Sequence, residues 1–177
     1  MLRLRLPELL FVVLTLLLSG CSDASDALPA AVDLRADGQL ARAQRLPIVL
    51  FFHSETCAFC REVEDLYLTP LQKENENVPQ FVLRTVEISQ TQPLVAFDGS
   101  RTDYRAFAKQ QGVTLVPHLR FLGPDGEVLA PDLVGLTSRD FYGGYLDSAI
   151  QEAFGKMHRK TGRPSSVEKT SDGRQRD

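Results

Sequence analysis

The sequence has few residues that could fix a fold by covalent cross-links, and its charge is nearly balanced. Its 177 residues include three cysteines, two methionines and no tryptophan. Three cysteines cannot form the disulfide framework on which many small secreted domains depend. A formal net charge of −3 excludes a strongly basic protein and does not indicate a nucleic-acid partner. With 43% hydrophobic and 24% charged residues, the composition is typical of a globular protein.

The apolar run near the N-terminus is shorter than the roughly 20 apolar residues that a membrane-spanning helix needs. Residues 9–18 are apolar and follow two arginines, which is typical of the core of a signal peptide. The run ends in Leu-Ser-Gly-Cys21, which resembles the lipobox of bacterial lipoproteins, in which the cysteine is lipidated and becomes the first residue. Two alternatives to a lipoprotein signal peptide remain open. The segment could be an uncleaved membrane anchor, or an ordinary signal peptide that happens to contain a cysteine. The resemblance implies a periplasmic protein anchored by lipid on Cys21, and Ser22 favours the outer membrane over the inner one.

Changes in composition divide the chain into four segments. Residues 1–20 are the predicted lipoprotein signal peptide. Residues 21–31 are small and polar, which is typical of a tether, here beginning at the lipidated cysteine. Residues 32–155 form the predicted domain. Residues 156–177 carry seven Lys or Arg and three Asp or Glu with few apolar groups, which predicts a basic, disordered tail.

Apolar periodicity predicts that helices and strands alternate within the domain. The continuous apolar run 48–52 predicts a buried central strand. In the last helix we expect Ser138 to cap the N-terminus and Phe141, Leu146 and Ile150 to face inward. Gly143-Gly144 within that helix indicates close packing on the sheet, or alternatively a local break. The order of elements predicts an α/β fold with a mixed central sheet flanked by helices. Helices are predicted over residues 32–45, 57–73, 101–111 and 138–154, and strands over residues 48–52, 81–88, 119–122 and 127–130.

Cys57 and Cys60 form a CxxC pair where the predicted central strand meets the next helix. A cysteine in the first helical turn lies among unpaired backbone N–H groups at the positive end of the helix dipole, and both features favour the thiolate. The second cysteine lies about one turn away and is more enclosed. We therefore predict that Cys57 attacks and Cys60 resolves in dithiol–disulfide exchange. Phe59 is predicted to begin the inward face of this helix, which Pro70 should kink.

Two other uses of the cysteine pair remain open. A purely structural disulfide is one, although a separation of three residues closes too small a loop to stabilise a fold much through chain entropy. A metal site is the other, because the two cysteines together with His53 and His118 could supply the four ligands of a zinc site.

The residues around the pair resemble the thioredoxin superfamily over about residues 32–155. The likeness is carried by Leu50-Phe51-Phe52-x4-Cys57-Ala58-Phe59-Cys60, by Thr114-Leu115-Val116-Pro117 and by a later Pro-Asp-Gly turn. It implies that the Val116–Pro117 bond is cis, that Pro117 packs beside the disulfide, and that the Val116 backbone binds an extended substrate strand. Within the superfamily the chain is most similar to periplasmic thioredoxin-related proteins, including those of sulfur-oxidation systems, and residues 134–146 add to that likeness.

The chain departs from thioredoxin itself at three places near the cysteines. Thr56 stands where thioredoxin has tryptophan, and Ala58-Phe59 stands where it has Gly-Pro. Phe51 replaces the buried acid that in thioredoxin helps to deprotonate the resolving thiol. Glu55 or a water could take over that task, or Glu55 could be an exposed turn residue. His118, beside Pro117, could tune the cysteines, contact substrate or simply pack in a strand.

These features together predict a membrane-tethered thiol–disulfide oxidoreductase that acts on periplasmic protein thiols and disulfides. The resemblance favours a reductase, which would need a membrane electron donor, and it implies no cofactor and no nucleic-acid partner. A disulfide-forming oxidase is the nearest alternative. A copper-binding or delivery protein that uses the CxxC as soft ligands is another, although such relatives typically have CxxxC. A redox-inactive scaffold is disfavoured by the presence of both cysteines.

Overall fold

A four-stranded mixed sheet forms the centre of the fold. The computed structural model describes residues 27–159. Its strands are β1 (Ile48–His53), β2 (Val82–Glu87), β3 (Pro93–Val95), β4 (Arg101–Asp103), β5 (His118–Leu122) and β6 (Val128–Val134). The central sheet has the order β2-β1-β5-β6, and β1 is parallel to β2 but antiparallel to β5. Residues 48–52 of β1 are completely buried, as expected of a continuous apolar strand that is covered on both faces.

Helices cover both faces of this sheet, which confirms the predicted fold class. The helices are α1 (Leu34–Gln44), α2 (Ala58–Val63), α3 (Thr69–Asn77), α4 (Tyr104–Gln110) and α5 (Arg139–Arg159). One π-helical turn, Glu64–Leu68, joins α2 to α3. Pro70 lies in the first turn of α3, directly after this π-helical turn, where its missing N–H cannot complete a regular hydrogen-bond pattern with the preceding turn. None of these helices is both long enough and apolar enough to span a bilayer.

Alternate residues of β1 point into two separate cores. Val49 and Phe51 belong to the core that includes Cys60 and the inward side of α5, which we call the α2/α5 face. Leu50 and Phe52 belong to the core shared with α1 and α4, which we call the α1/α4 face. Because side chains alternate along a strand, the last residue of β1 follows Phe51 toward the α2/α5 face.

Residues 28–33 pack along the free edge of β2. The N–H of Ala31 donates to the carbonyl of Thr85 at 3.0 Å, and the N–H of Thr85 donates to the carbonyl of Pro29 at 2.9 Å. Leu28 and Ala31 are buried. The last part of the predicted tether therefore belongs to the domain, because its backbone covers a sheet edge that would otherwise be unpaired.

Both described chain ends lie at the end of the sheet opposite the cysteines. The bridge between Ala30 and Thr85 is parallel, so the chain enters level with the beginning of β2. Helix α5 begins beside α2, where Arg139 forms an ion pair with Glu62. It then passes the residues that precede β2, since Gln151 donates to the side chain of Gln80 at 3.0 Å.

Two other boundaries differ from the sequence prediction. The segment 89–100, predicted as a loop, contains β3 and leads into β4, and the two strands form a small antiparallel hairpin. Helix α5 continues to Arg159 with Met157 buried, so residues 156–159 are helical rather than disordered. The predicted tail over residues 160–177, the signal peptide and Cys21 lie outside the described residues.

The inward face of α5 contains Leu146 and Ile150, as predicted, but it does not contain Phe141. Phe141 is 63% exposed, whereas Tyr142 is 2% exposed, so the prediction that Phe141 faces inward is wrong. The interpretation of Gly143-Gly144 is wrong too. A Cβ at Gly143 would be 3.8 Å from the Tyr67 ring, an ordinary contact, and a Cβ at Gly144 would meet nothing within 4 Å. At the start of α5, the N–H of Phe141 donates a hydrogen bond to the backbone carbonyl of Ser138 at 3.3 Å.

Candidate functional site

The site begins where β1 ends and the chain turns into α2. Cys57 and Cys60 form a disulfide with their Cα atoms 5.2 Å apart. Cys57 is the N-cap of α2, and its Sγ accepts a hydrogen bond from the N–H of Cys60 at 3.1 Å. The Cys57 N–H donates in turn to the carbonyl of Ser54 at 3.0 Å. The sulfur of Cys57 therefore occupies the position of a helix-capping acceptor, which favours negative charge on that atom.

The two cysteines differ in their access to solvent. Cys60 is 1% exposed and packs in the core of the α2/α5 face. Cys57 is partly exposed at its edge. Phe59, between them, is 54% exposed, so the prediction that it begins the inward face of the helix is wrong. This arrangement lets an outside disulfide reach Cys57 but not Cys60, as the predicted order of attack requires.

The loop before β5 brings Val116 and Pro117 to the same place. The Val116–Pro117 bond is cis, which confirms the expectation from the resemblance. The carbonyl oxygen of Val116 lies 3.8 Å from Cys57 Sγ, and Pro117 is buried. Leu115, by contrast, is 65% exposed. The loop therefore presents the Val116 carbonyl beside the partly exposed sulfur, and the preceding residue adds an exposed apolar side chain to the loop.

Glu55 is directed away from the cysteines. Its side chain accepts a hydrogen bond from Gln90 Nε2 at 2.7 Å, and its carbonyl accepts from Arg61 Nη1 at 2.8 Å. The residue is exposed. These contacts are those of a turn residue that helps to hold the loop between β1 and α2, rather than those of a proton acceptor for Cys60.

His53 lies at the end of β1 on the α2/α5 face. Its ring stacks on Phe51, with the centroids 5.2 Å apart. Burial lowers the pKa of His53 below its ordinary value, and the nearby carboxylates of Glu64, Glu87 and Glu55 only partly oppose this shift. The ring is therefore mainly neutral near pH 7.

His118 belongs to a polar cluster on the α1/α4 face. Its ring contacts Phe52 edge-on at 5.9 Å, and its Nε2 is 2.8 Å from Asp132 Oδ2. Arg120 donates to the same carboxylate oxygen through Nε at 3.0 Å and Nη2 at 2.8 Å, and to the carbonyl of Gln111 at 2.9 Å. These bonds connect the two ends of the loop that carries Val116. The sequence analysis missed Arg120, Asp132 and Gln111 because only the pairing of β5 with β6 brings them together.

The titration of Asp132 reflects that cluster. Burial raises the pKa of this carboxyl, but hydrogen bonds from Arg120 and His118 outweigh burial and leave the pKa below its ordinary value. The carboxylate is therefore ionised near pH 7.

The described part of the chain does not assemble a metal site. Among residues 27–159, no three or more histidine, cysteine or acidic side chains are grouped so that they could hold a metal ion. His53 and His118 lie on opposite faces of the sheet, as their contacts with Phe51 and Phe52 show. The zinc alternative, which needs both histidines beside the cysteines, receives no support from this arrangement.

Comparison with known proteins identifies the domain. A family model described as a thioredoxin-like domain matches residues 34–150. No curated protein matches the chain significantly. The match spans β1, the cysteine pair, the Val116–Pro117 loop and most of α5, and together with the CxxC pair it supports thiol–disulfide oxidoreductase chemistry in general terms.

Several solved thioredoxins are similar to the chain at low sequence identity. Mitochondrial thioredoxin 3 from Saccharomyces cerevisiae, in its oxidised form, shares 18% identity over 71% of this chain and 94% of its own, with a TM-score of 0.48. Thioredoxin from Fasciola hepatica shares 16% over 71% and 99%, with a TM-score of 0.47. Spinach chloroplast thioredoxin f, short form, shares 20% over 70% and 91%, with a TM-score of 0.47.

Proposed function

Because the chain belongs to the family of thioredoxin-like domains, we propose that it is a membrane-tethered periplasmic oxidoreductase that reduces disulfides in other proteins. The observation that carries this proposal is the asymmetry of the cysteine pair. Cys57 is partly exposed and accepts a backbone N–H at the start of α2, whereas Cys60 is 1% exposed beneath it. An exposed, stabilised thiolate beside an enclosed thiol is the arrangement that two-step disulfide exchange requires.

The reaction transfers two electrons from the cysteine pair to the substrate. In the reduced protein, the Cys57 thiolate attacks one sulfur of the substrate disulfide, and the other substrate sulfur leaves as a thiolate. Cys60 then loses its proton and attacks Cys57 Sγ. The Cys57–Cys60 disulfide forms, the mixed disulfide breaks, and the substrate departs as a dithiol.

The Val116–Pro117 loop supplies the contacts that position the substrate. The Val116 carbonyl, 3.8 Å from Cys57 Sγ, can accept a hydrogen bond from the backbone of an extended substrate segment. Leu115, next to Val116, and Phe59, between the two cysteines, are 65% and 54% exposed and offer apolar surface to a substrate. Recognition through a backbone carbonyl and apolar contact selects extended protein segments rather than a particular sequence.

The proposed periplasmic location and the proposed direction of reaction rest on sequence features other than the geometry of the cysteine pair. Lipid on Cys21 would hold the domain at a membrane, with the outer membrane favoured by Ser22. The likeness of residues 134–146 to thioredoxin-like proteins of sulfur-oxidation systems supports export to the periplasm. That compartment is kept oxidising, so a reductase there needs a membrane electron donor to return the pair to its dithiol form.

Substrate trapping tests the proposed reaction. With Cys60→Ser, the mixed disulfide on Cys57 has no resolving thiol, so covalent complexes with periplasmic proteins should accumulate. Cys57→Ser, the matched control, should trap at least tenfold less. Non-reducing electrophoresis of acid-quenched cells, followed by mass spectrometry, measures both. Equal trapping by the two variants, or more trapping by Cys57→Ser, would contradict the assigned order of attack.

A further inference from the structure

The loop that carries the proposed substrate contact has little backbone bonding of its own. At its start, the N–H of Val113 donates to the carbonyl of Ala108 at 3.0 Å, and at its end the carbonyl of Pro117 accepts from the N–H of Gly135 at 2.8 Å. Residues 114–116, between these two bonds, form no backbone–backbone hydrogen bond within the described range 27–159. The position of this stretch therefore depends on how firmly the two ends of the loop are held.

One arginine side chain joins the start of the loop to strand β6. Nη1 of Arg120 donates to the carbonyl of Gln111 at 2.9 Å and to its Oε1 at 3.0 Å, while Nε and Nη2 donate to Asp132 Oδ2 at 3.0 and 2.8 Å. Gln111 is the residue at which α4 ends and the loop begins. We propose that Arg120 is a positioning residue that holds the Val116 carbonyl in place and thereby sets the affinity for protein disulfides, a role that rests on the proposed function.

His118 connects the other end of the loop to the same carboxylate. It directly follows Pro117, is 7% exposed, and its Nε2 lies 2.8 Å from the Asp132 oxygen that Arg120 also bonds. The start and the end of the loop are therefore both fixed relative to one atom of β6. Because a guanidinium is planar and presents its N–H groups in a rigid fork, this junction fixes direction as well as distance.

A fixed loop favours the binding of an extended protein segment. The Val116 carbonyl lies 3.8 Å from Cys57 Sγ, so a substrate backbone N–H has to meet the carbonyl while a substrate sulfur meets Cys57. A loop that occupies this position for only a fraction of the time lowers the apparent affinity by that fraction, whereas a preformed loop needs no ordering on binding. A small disulfide makes no use of the carbonyl, so its reaction with Cys57 should not depend on Arg120.

Arg84 offers a matched control on the other side of β1. Leu50 is in register with Arg84 of β2 on one side and with Arg120 of β5 on the other. Arg84 donates to Asp37 of α1 through Nε at 3.0 Å and Nη2 at 2.5 Å, and its Nη1 donates to the carbonyl of Leu83. The side chains of Arg84 and Arg120 are 23% and 15% exposed. Arg84 is thus a similarly buried, ion-paired arginine at the same level of the sheet, and its partners lie outside the loop.

Single-turnover reduction of insulin, used as a protein disulfide, measures this affinity in the reduced full chain. All variants carry Cys21→Ser so that only two thiols react. With Arg120→Met, the insulin concentration that gives half of the maximal rate should rise about tenfold, while the maximal rate stays within about twofold. Arg84→Met should leave both quantities within about twofold. Arg120→Lys and Arg84→Lys keep the charge and form a milder pair, in which Arg120→Lys alone should raise the half-saturating concentration about threefold or more.

Reaction with the small disulfide dithiobis(nitrobenzoate) separates positioning of the substrate from damage to the cysteine pair. The rate of attack by Cys57 on this reagent should agree within about twofold among all variants. Three results would overturn the positioning role: an unchanged half-saturating concentration in both Arg120 variants, an equal rise in the Arg84 variants, or a matching loss of reactivity toward the small disulfide. If the unsubstituted protein reacts with dithiobis(nitrobenzoate) but does not reduce insulin, the proposed function itself is contradicted.

Discussion

Phe59 lies between the two cysteines and exposes half of its ring, so it adds neither charge nor a strong hydrogen-bond donor to the sulfurs. Strongly oxidising members of this superfamily have a histidine between the cysteines, which stabilises the thiolate and therefore the reduced form. Without that stabilisation, the Cys57–Cys60 disulfide should be harder to reduce. The potential should lie nearer the reducing end of the range, about −270 mV, than the oxidising end, about −120 mV.

This potential can be measured by equilibration with glutathione or dithiothreitol buffers, followed by alkylation of the free thiols. Phe59→His should make the potential less negative, whereas Phe59→Leu should leave it nearly unchanged because leucine also lacks charge. A potential above about −160 mV in the unsubstituted protein would reject the reductase and favour the disulfide-forming oxidase.

Asp132 is the residue whose charge should matter most for the loop around Val116. Its carboxylate accepts from both His118 and Arg120, so Asp132→Asn should lower the free energy of unfolding by about 2 kcal/mol at pH 7. Because the folded-state pKa of Asp132 is depressed, this contribution is complete above the ordinary carboxyl pKa and is lost as the pH falls through the folded-state value. The difference between the two proteins should therefore shrink below about pH 4.

Urea unfolding at pH 7 and pH 3 measures that difference. Asp147→Asn is the matched control, because Asp147 is exposed on α5 and its substitution should change stability by less than about 0.5 kcal/mol at either pH. A loss for Asp132→Asn that is equally large at pH 3 would contradict the charge argument.

At the scale of elements, the sequence was most informative where a long pattern repeats. The apolar run 48–52 predicted β1, and the turn and helix after it placed the cysteine pair correctly. Strands β3 and β4 have three residues each, too few to show a period, so they were missed. Tyr142, Leu146 and Ile150 have the i, i+4, i+8 spacing of a single helix face, so the sequence itself favoured Tyr142 over Phe141 at the inward position.

The candidate site was predictable to the same extent. Cys57, Cys60 and the cis bond before Pro117 followed from local motifs and resemblance. The cluster of His118, Arg120 and Asp132 did not, because it depends on the β5–β6 register, which shifts between Leu119 and Phe121. Tertiary register is not encoded in any short motif of this chain.

Residues 28–31 should behave as a structural element although they were predicted to belong to the tether. A protein that begins at residue 27 should match the longer chain in its free energy of unfolding. A protein that begins at residue 33 loses two backbone hydrogen bonds to Thr85, the bonds that the carbonyls of Ala31 and Val32 accept from Tyr104 and Val95, and the burial of Leu28 and Ala31. It should lose about 2–4 kcal/mol and expose the edge of β2, which promotes self-association.

Urea denaturation and light scattering on the two shortened proteins measure stability and association separately. If the two proteins were equally stable and the shorter one did not self-associate, the segment before residue 33 would not be needed to protect the edge of β2.

At the scale of the whole molecule, the described part of the chain begins at the end of the sheet opposite the reactive cysteines. Mass spectrometry of membrane-extracted protein should find the mature chain beginning at a lipidated Cys21. On vesicles, a bulky thiol reagent should react with reduced Cys57 at the same rate as in the Cys21→Ser protein free in solution. An unmodified Cys21 in processed, soluble protein would contradict the anchor, and shielding of Cys57 on vesicles would contradict the orientation.

The backbone pairing of Ala31 with Thr85 has a consequence for how far the protein can work from its membrane. Docking of the chain from Leu28 onward leaves seven Cα–Cα steps to Cys21, a reach of about 25 Å at most. The rise along the sheet from the level of Leu28 to the cysteines adds about 13 Å. Lipid on Cys21 would thus confine the disulfide to a layer within about 40 Å of the bilayer. A membrane-embedded donor would have to present its thiols within the same layer, whereas soluble substrates need only diffuse into it.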